Sequence, residues 1–376
     1  MRFWEEKILL RHLSPGTEVF LTVWYLDSEK PGPTVYLQAT LHAGELQGIG
    51  VIYALRSFLE KNPFCGKFIF VPVANPFALS VKLGEYTYGR FDPTTGENWN
   101  RVFWNPFSTN DNCAIDLAQF LSQTKDLPRD IRHQDYKKAL RRAVANKKEE
   151  GKESSSFAEF LALTLQELAC AADIVFDLHC DSHAHPYLYS PQYASQDACH
   201  LLFKFQIVTE RIFTPDFNQA CFIPWWDLAE AEEENSTPPF LSFTLELGSK
   251  DVYSQAFSQD AAQRIINFLK YKGVIEGNAL LPSDPIMQCK VNDFKRIRAP
   301  KGGLVDVIAP LGQVLPSHTP YALFLSLGPG IKTLAPTPLS LDYTAIPLTH
   351  VSSANVHAHD EILKVMTHFK PVDFIS

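Results

Sequence analysis

Residues 35–45 read Val-Tyr-Leu-Gln-Ala-Thr-Leu-His-Ala-Gly-Glu, and this stretch decides the fold expected for the first part of the chain. Its first seven residues are rich in β-prone side chains, which is typical of a strand, and the polar run from His42 to Glu45 follows directly. Apolar residues then recur at helical spacing from Val51 to Leu59, and the pattern stops near Asn62. The order of strand, polar turn and helix predicts an α/β fold with a mainly parallel sheet.

The alternation of strands and helices continues along the chain. Further strands are predicted at residues 68–73, 174–178 and 241–247, and further helices at residues 157–168 and 257–269. Ser156 and Glu159 have the spacing of a capping box at the start of the first of these helices. We therefore expect a sheet that is flanked by helices on both faces.

Two other regions differ in texture from this α/β pattern. After about residue 282, Gly, Pro and short β-prone runs dominate, so we divide the chain into an α/β domain of residues 1–282 and a small all-β domain of residues 283–376. Residues 141–156 combine charge, Gly and Ser with little to bury, which predicts a mobile insertion. Residues 225–234 join two tryptophans to an acidic run, which suggests an exposed loop.

Composition excludes several classes of function. The chain has 376 residues, of which 45% are hydrophobic, and a formal net charge of −8, so it can bury a large core but has no field to attract nucleic acid. No apolar run approaches the ~20 residues of a membrane span, and Glu5 and Glu6 stand where a signal peptide would be basic. We therefore expect a soluble, cytoplasmic protein with no nucleic-acid or membrane partner.

The seven cysteines point away from disulfides and from a cysteine-bound metal. They are widely scattered, odd in number and contain no CxxC pair. If the chain binds a metal ion, its ligands are therefore histidines and carboxylates. His42-x-x-Glu45 offers one of each at the end of a predicted strand, and catalytic zinc requires a third protein ligand.

The best third ligand in the sequence is His179, which also ends a predicted strand. Neighbouring parallel strands bring their carboxyl ends to one crevice, so His179 would lie near His42 and Glu45. His183 and His185 follow closely and stay open as alternatives.

A metal hydrolase also needs a general base and groups that bind the substrate. Glu246 ends a third apolar strand and is the candidate base, although a structural ion pair would also explain it. The long loop after residue 76 carries Arg90, Asn100 and Arg101, whose guanidinium groups could clamp a carboxylate or stabilise an oxyanion. Alternatively, both arginines are ordinary surface charges without a role in binding.

These residues, taken in order, resemble the succinylglutamate desuccinylase/aspartoacylase family of the wider zinc-carboxypeptidase group. The resemblance rests on four stretches: His42-Ala43-Gly44-Glu45, Arg90 with Asn98-Trp99-Asn100-Arg101, Asp177-Leu178-His179, and Thr244-Leu245-Glu246. It covers roughly residues 30–275, and the terminal segment resembles the β-rich domain that these proteins often append. Where the family commonly has Asp-Leu-Asn-Arg, this chain has Asn98 in the first position.

The resemblance implies a zinc-carboxypeptidase-like catalytic domain over residues 1–282, with one Zn²⁺ per chain. It implies the following roles: His42, Glu45 and His179 bind zinc, Glu246 is the general base and later proton donor, Arg90 polarises the scissile carbonyl, and Asn100 and Arg101 hold the substrate's carboxylate. The family cleaves an acyl group from the nitrogen of an amino acid. The expected substrate is therefore a small N-acyl amino acid or short peptide, with ester cleavage and assembly of several copies left open.

Two other functions remain open at this point. The first is a zinc metallocarboxypeptidase that uses the same site on peptide C-termini. The second is a non-catalytic ligand-binding protein on the same fold, against which the presence of Glu246 argues. Serine-hydrolase, P-loop and dinucleotide-binding functions lack their minimum motifs in this sequence.

Overall fold

The computed structural model describes residues 1–84, 86–87, 89–108, 111–232, 236–327 and 335–372. The chain divides into two compact units, each of several segments. The first unit consists of Met1–His179, Arg211–Thr244 and Asp251–Leu280. The second unit consists of Cys180–Glu210, Leu245–Lys250 and Leu281–Ser376.

Helices and strands alternate through most of the described residues. The helices are α1 Gln47–Leu59, α2 Pro76–Ser80, α3 Leu117–Thr124, α4 Arg129–Glu150, α5 Phe157–Ala169, α6 Phe217–Glu232 and α7 Gln255–Tyr271. The strands up to residue 250 are β1 Arg2–His12, β2 Glu18–Asp27, β3 Thr34–Ala39, β4 Lys67–Val71, β5 Lys82–Leu83, β6 Tyr86–Thr87, β7 Ile174–Asp181, β8 His183–Ala184, β9 Tyr187–Pro191, β10 Phe205–Thr209 and β11 Leu241–Ser249. The later strands are β12 Met287–Lys290, β13 Phe294–Arg298, β14 Gly303–Val307, β15 Pro320–Ser326, β16 Thr337–Ser340, β17 Ile346–His350, β18 Asn355–Val356, β19 Glu361–Met366 and β20 Lys370–Pro371.

The sheet of the first unit has the strand order β1-β2-β4-β3-β7, and β11 follows β7. Strand β3 is parallel to both β4 and β7, whereas β2 is antiparallel to β1 and β4. All residues of β3 except the first, and all residues of β7 except the last, are buried. This near-continuous burial is typical of strands that are covered on both faces, and it confirms the predicted α/β class.

Helix α1 approaches the sheet closely because it carries a glycine at the point of contact. A Cβ on Gly48 would lie 2.8 Å from the Cβ atoms of Ala39 on β3 and Leu178 on β7. The predicted helices are confirmed here and at α5, where Ser156 and Glu159 form the expected capping box. The helix predicted within residues 257–269 is confirmed as α7.

The second unit contains the strand order β9-β10-β12-β20 and two four-stranded sheets, β13-β19-β17-β8 and β16-β15-β14-β18. Strand β10 is parallel to β9 and to β12, and neighbouring strands of the two four-stranded sheets are antiparallel. Residues 283–372 are therefore rich in strands, as expected. The unit also includes segments from within residues 1–282. Compactness does not measure independent folding, so the domain division at residue 282 stays a prediction.

The prediction of a mobile insertion at residues 141–156 was wrong. Most of this stretch is the carboxyl-terminal half of α4, which runs to Glu150. Ala143 and Val144 are buried, and Lys148 forms an ion pair with Glu167 of α5. Charged residues dominate the sequence of α4 and mask its short apolar stripe. This stripe packs the helix against its neighbour.

The prediction of an exposed loop at residues 225–234 was also wrong for residues 225–232, which the structure describes. Residues 217–232 form α6, and residues 233–234 lie outside the described residues. Trp225 is buried, where it stacks on Phe240 with ring centroids 5.8 Å apart. Trp225 therefore contributes to the core of the first unit, and Trp226 is partly buried.

Two further observations concern the chain as a whole. In the described part of the chain, every helix is too short or too polar to cross a bilayer. All seven cysteines lie in that part, and none of them forms a disulfide bond.

Candidate metal centre

The turn between β3 and α1 holds His42 and Glu45 in a constrained conformation. Thr40 has a φ of 60°, which is unusual for a β-branched residue and stores backbone strain. The strain is offset by hydrogen bonds, because the Thr40 hydroxyl donates to the carbonyl of Glu45 and the Thr40 carbonyl accepts the N–H of Asn75. The turn is thereby fixed before any ligand binds.

His179 meets this turn from the neighbouring strand, as the sequence predicted. It lies near the end of β7, which is parallel to β3. His42, Glu45 and His179 are each at most 4% exposed, and one ligand atom from each lies within 4.8 Å of the other two. Two histidines and one carboxylate form the donor set of a catalytic zinc site, so these residues could hold a metal ion.

Both histidines point the same nitrogen at the carboxylate of Glu45. His42 Nδ1 lies 2.9 Å from Glu45 Oε1, and His179 Nδ1 lies 2.7 Å from Glu45 Oε2. Arg90 also contacts this carboxylate, with a guanidinium nitrogen 3.1 Å from Oε1. Three nitrogen-bearing groups therefore converge on one buried carboxylate.

The outer nitrogens of the two histidines contact oxygen atoms. His179 Nε2 lies 2.7 Å from Asp177 Oδ2, and His42 Nε2 lies 2.9 Å from Asn98 Oδ1. The backbone N–H of Asn100 also donates to Asn98 Oδ1, which fixes this atom as the amide oxygen. Each Nε2 therefore donates a proton, and a neutral ring then presents the lone pair of Nδ1 to a cation.

The short distance between His42 Nδ1 and the Glu45 carboxylate indicates whether these residues fit a metal ion. A neutral His42 with its proton on Nε2 would place the Nδ1 lone pair 2.9 Å from the Glu45 carboxylate. Two acceptors at this distance repel each other unless a cation lies between them or the ring is protonated. The donor set therefore fits a divalent metal ion.

The electrostatics of the three side chains agree with a shared positive charge. Burial acts to raise the pKa of Glu45, but the charges of His42 and His179 outweigh it and hold this pKa well below its ordinary value. Burial acts to lower the pKa of His179, whereas the charges of Asp177 and Glu45 raise it well above 6.5. Burial lowers the pKa of His42, against the opposing effect of Glu45. The carboxylates of Glu45 and Asp177 therefore favour a positive charge at this position.

The loop that carries Arg90 and Asn98 is held at both its start and its centre. A Cβ on Gly89 would lie 2.0 Å from the Cβ of Ala43, so only glycine allows the loop to pass over the turn. Trp99 is 1% exposed and packs edge-on against the rings of Phe77 and Phe157. These contacts hold the loop where Arg90 reaches Glu45 and Asn98 reaches His42.

The two residues predicted to hold a substrate carboxylate differ in exposure. Arg101 is exposed, and its guanidinium group donates to the carbonyl of Asn100. Asn100 is buried, where its Oδ1 accepts the N–H of Phe217 at the start of α6 and its Nδ2 lies 3.5 Å from His179 Nε2. Asn100 therefore ties α6 to the site, and substrate binding by either residue stays a prediction.

Glu246 lies on β11 and belongs to the second unit, whereas the other predicted residues belong to the first unit. It is partly buried, and its negative charge contributes to raising the pKa of Tyr187 and of Tyr189. Its assignment as general base stays a prediction.

The alternative ligands His183 and His185 also belong to the second unit. The ring of His183 lies 4.9 Å from the ring of His350, and His185 Nδ1 lies 3.0 Å from the carbonyl of Pro186. Among the described residues, the buried group that could hold a metal contains His179 as its second histidine.

Asp177 and Gln38 were not predicted from the sequence as site residues. Gln38 Nε2 donates to Asp177 Oδ1 over 2.8 Å. Asp177 lies two residues before His179, so both side chains point to the same face of β7. A carboxylate within an otherwise apolar strand is a signal that could have identified this contact. Asn98 was noted only as a departure from the family pattern, and its contact with His42 depends on the route of the loop.

Comparison with known proteins agrees with this geometry. A model of the succinylglutamate desuccinylase/aspartoacylase catalytic domain matches residues 31–272. A search of curated protein sequences found no match. Members of this zinc-dependent family are deacylating hydrolases that act on small N-acyl amino acids.

Solved structures resemble nearly the whole chain. A succinylglutamate desuccinylase/aspartoacylase from Shewanella frigidimarina NCIMB 400 is 30% identical, with a TM-score of 0.91 and 98% of each chain covered. A family protein from Shewanella amazonensis SB2B is also 30% identical, with a TM-score of 0.90 over 98% of this chain and 100% of the other.

A more distant structure shares the fold. The product-bound ectoine utilization protein EutE from Ruegeria pomeroyi has 15% identity and a TM-score of 0.66, over 97% of this chain and 95% of the other. The family model and the two structures at 30% identity carry the assignment. The chain therefore belongs to the succinylglutamate desuccinylase/aspartoacylase family.

Proposed function

We propose that the protein is a zinc-dependent hydrolase that cleaves the amide bond of an N-acyl amino acid. The observation that carries this proposal is the convergence of two histidine Nδ1 atoms on the buried carboxylate of Glu45. The family assignment supports the class of substrate.

His42, Glu45 and His179 would hold the zinc ion, each through an atom that already faces the other two. When bound, zinc supplies a Lewis acid and makes water a nucleophile near neutral pH. The ligand atoms are buried in a turn and a strand end that hydrogen bonds fix, so little reorganisation is needed on metal binding.

Other side chains of the chain handle the proton and the substrate. Glu246 would take a proton from the attacking water and return it to the leaving nitrogen. Support for this role of Glu246 comes from the family assignment, because the matching catalytic-domain model covers the stretch Thr244-Leu245-Glu246. Arg90 would polarise the scissile carbonyl, since its guanidinium group has donors beyond the one that contacts Glu45. Asn100 and Arg101 would bind the substrate's carboxylate.

Metal content is the first test. We expect about one zinc ion per chain in protein purified without added metal, and loss of this zinc in His42→Ala, measured by mass spectrometry of the native protein. His12→Ala, which changes an exposed histidine on β1, is the matched control and should keep the metal. A chain that stays metal-free after zinc supplementation would contradict the proposal.

Glu246→Gln tests the assignment of the base. The variant should keep its zinc but lose two to four orders of magnitude in kcat on an N-acyl amino acid, because the amide cannot accept the proton. Loss of zinc in this variant would show that Glu246 is a ligand and not the base. A panel of N-acyl amino acids and short peptides separates deacylation from carboxypeptidase activity.

A further inference from the structure

A line of buried polar side chains runs through the first unit to His179. Tyr36 donates its hydroxyl hydrogen to Gln38 Oε1 over 2.8 Å, and Gln38 Nε2 donates to Asp177 Oδ1 over 2.8 Å. Asp177 Oδ2 in turn contacts His179 Nε2 at 2.7 Å. The chain of hydrogen bonds therefore joins a tyrosine on β3 to a predicted metal ligand on β7.

Strand geometry explains why these four side chains form a line. Tyr36 and Gln38 are two residues apart on β3, and Asp177 and His179 are two residues apart on β7, so each pair shares one face of its strand. Gln38 and Asp177 are direct partners in the parallel register of the two strands. The line therefore follows from the register of the sheet.

Each contact in the line removes a choice of orientation from the next group. The tyrosine hydroxyl marks which end of the Gln38 amide is the oxygen, so the NH₂ group must face Asp177. With Oδ1 occupied by Gln38, Asp177 presents Oδ2 to His179 Nε2. The imidazole then carries its outer proton on Nε2 and directs Nδ1 toward Glu45.

We propose that Tyr36 and Gln38 are positioning residues that set the orientation and tautomer of His179 for metal binding. This inference rests on the proposed function, because it assumes that His179 is a zinc ligand. Tyr36, Gln38 and Asp177 are at most 1% exposed. Buried polar groups are costly unless they are paired, and the outer partners of ligating histidines commonly set metal affinity.

The first test is zinc affinity, measured by competition with a chromophoric chelator. Gln38→Leu removes the donor to Asp177 and should raise the zinc dissociation constant about tenfold. The matched control is Gln166→Leu, because Gln166 is equally buried in the first unit but donates to the carbonyl of Trp104. Gln166→Leu should leave zinc affinity unchanged while causing a comparable loss of thermal stability.

A milder variant keeps the test valid if Gln38→Leu does not fold. Tyr36→Phe removes only the hydroxyl that orients Gln38 and should raise the zinc dissociation constant about threefold. Its control is Tyr136→Phe, because the Tyr136 hydroxyl is also buried but donates to the carbonyl of Pro224. Equal zinc affinity in a folded variant and its control would overturn the proposal.

A spectroscopic measurement separates positioning from general stability. In a ¹H–¹⁵N spectrum of the zinc-loaded protein, we expect the chemical shift of the His179 Nε2–H resonance to change in Gln38→Leu and Tyr36→Phe. The same resonance should keep its chemical shift in both controls. The same samples distinguish the two levels of inference. Wild-type protein that binds no zinc would refute the proposed function, whereas tight zinc binding that is unaffected by the variants would refute only the role of Tyr36 and Gln38.

Discussion

At the scale of single residues, the two predicted histidine ligands differ in the group that contacts their Nε2 atoms. His179 contacts the carboxylate of Asp177, whereas His42 contacts the neutral amide oxygen of Asn98. A carboxylate partner makes a ligating imidazole more basic, so the support of His42 is the weaker one. The departure from the family's usual Asp therefore changes the hydrogen-bond partner of a predicted metal ligand.

Asn98→Asp should strengthen zinc binding. An aspartate at this position can accept both hydrogen bonds that Asn98 Oδ1 accepts now, and its charge would raise the basicity of His42. We expect the zinc dissociation constant to fall about three- to tenfold in a chelator competition. Asn105→Asp, a change in the same loop at an amide that accepts the N–H of Phe107, is the control. An unchanged affinity would show that Asn98 does not tune His42.

At the scale of elements, α4 and α6 are joined by one buried carboxylate. Glu232, at the end of α6, is bound by three residues near the start of α4. These are Arg129, Arg132 and His133, at 3.2, 2.9 and 3.0 Å. Basic residues at a helix N-terminus are unfavourable for the helix dipole, and Glu232 adds to the compensation that Asp130 gives in the first turn of α4. The Glu232 side chain is only 3% exposed, which makes the contact hard to replace with water.

Glu232→Gln should destabilise the protein in a pH-dependent way. Burial acts to raise the pKa of Glu232, but the hydrogen bonds from His133 and Arg132 lower it below 4.5. The folded state therefore favours the charged form, and the stabilisation is present above pH 4.5 and lost as the pH falls through the lowered pKa. We expect a loss of about 1 kcal/mol at neutral pH in urea unfolding, because the Arg129 side chain is half exposed and water screens part of the interaction.

The control for this variant is Glu230→Gln, which changes an exposed residue on the same helix. It should stay close to the wild type across the pH range. A difference between Glu232→Gln and the wild type that persists at pH values well below 4.5 would contradict the electrostatic explanation.

The elements that form the candidate metal centre were predictable, and those around it were less so. Strands β3 and β7 and helix α1 have strong apolar periodicity, and parallel neighbours bring their ends together, so His42, Glu45 and His179 could be grouped from sequence. Helix α6 was missed because Pro224 lies inside it and its apolar residues surround the axis. The contact of Asn98 depends on the burial of Trp99, which no local pattern encodes.

At the scale of the whole molecule, the second unit is built from segments that are distant in sequence. One of its buried cores joins Tyr187, Phe205 and Ile207 to Cys289, Ile346, Leu348 and Met366. A buried ion pair also joins Asp181 to Lys364, with the Lys364 nitrogen 2.6 Å from the carboxylate. Residues on both sides of position 282 thus depend on each other for burial.

A chain truncated after residue 282 should therefore fail to fold stably. Removing residues 283–376 would leave Asp181 without Lys364 and expose the apolar side chains of β9 and β10. We expect aggregation, or dye binding to exposed apolar surface, when the fragment is expressed. A monomeric fragment with a cooperative unfolding transition would instead establish residues 1–282 as an independent domain.

Because the second unit is built from distant segments, some of its strands are synthesised long before their partners. Strands β9 and β10 leave the ribosome well before β12, to which β10 pairs. At translation rates of about 5–20 residues per second, β10 waits on the order of ten seconds for that partner. During this interval the apolar strands Tyr187–Pro191 and Phe205–Thr209 are open to chaperones or to misassembly with neighbouring nascent chains. Slower translation after residue 210 would prolong this exposure, so the yield of folded protein becomes sensitive to codon choice between residues 211 and 286.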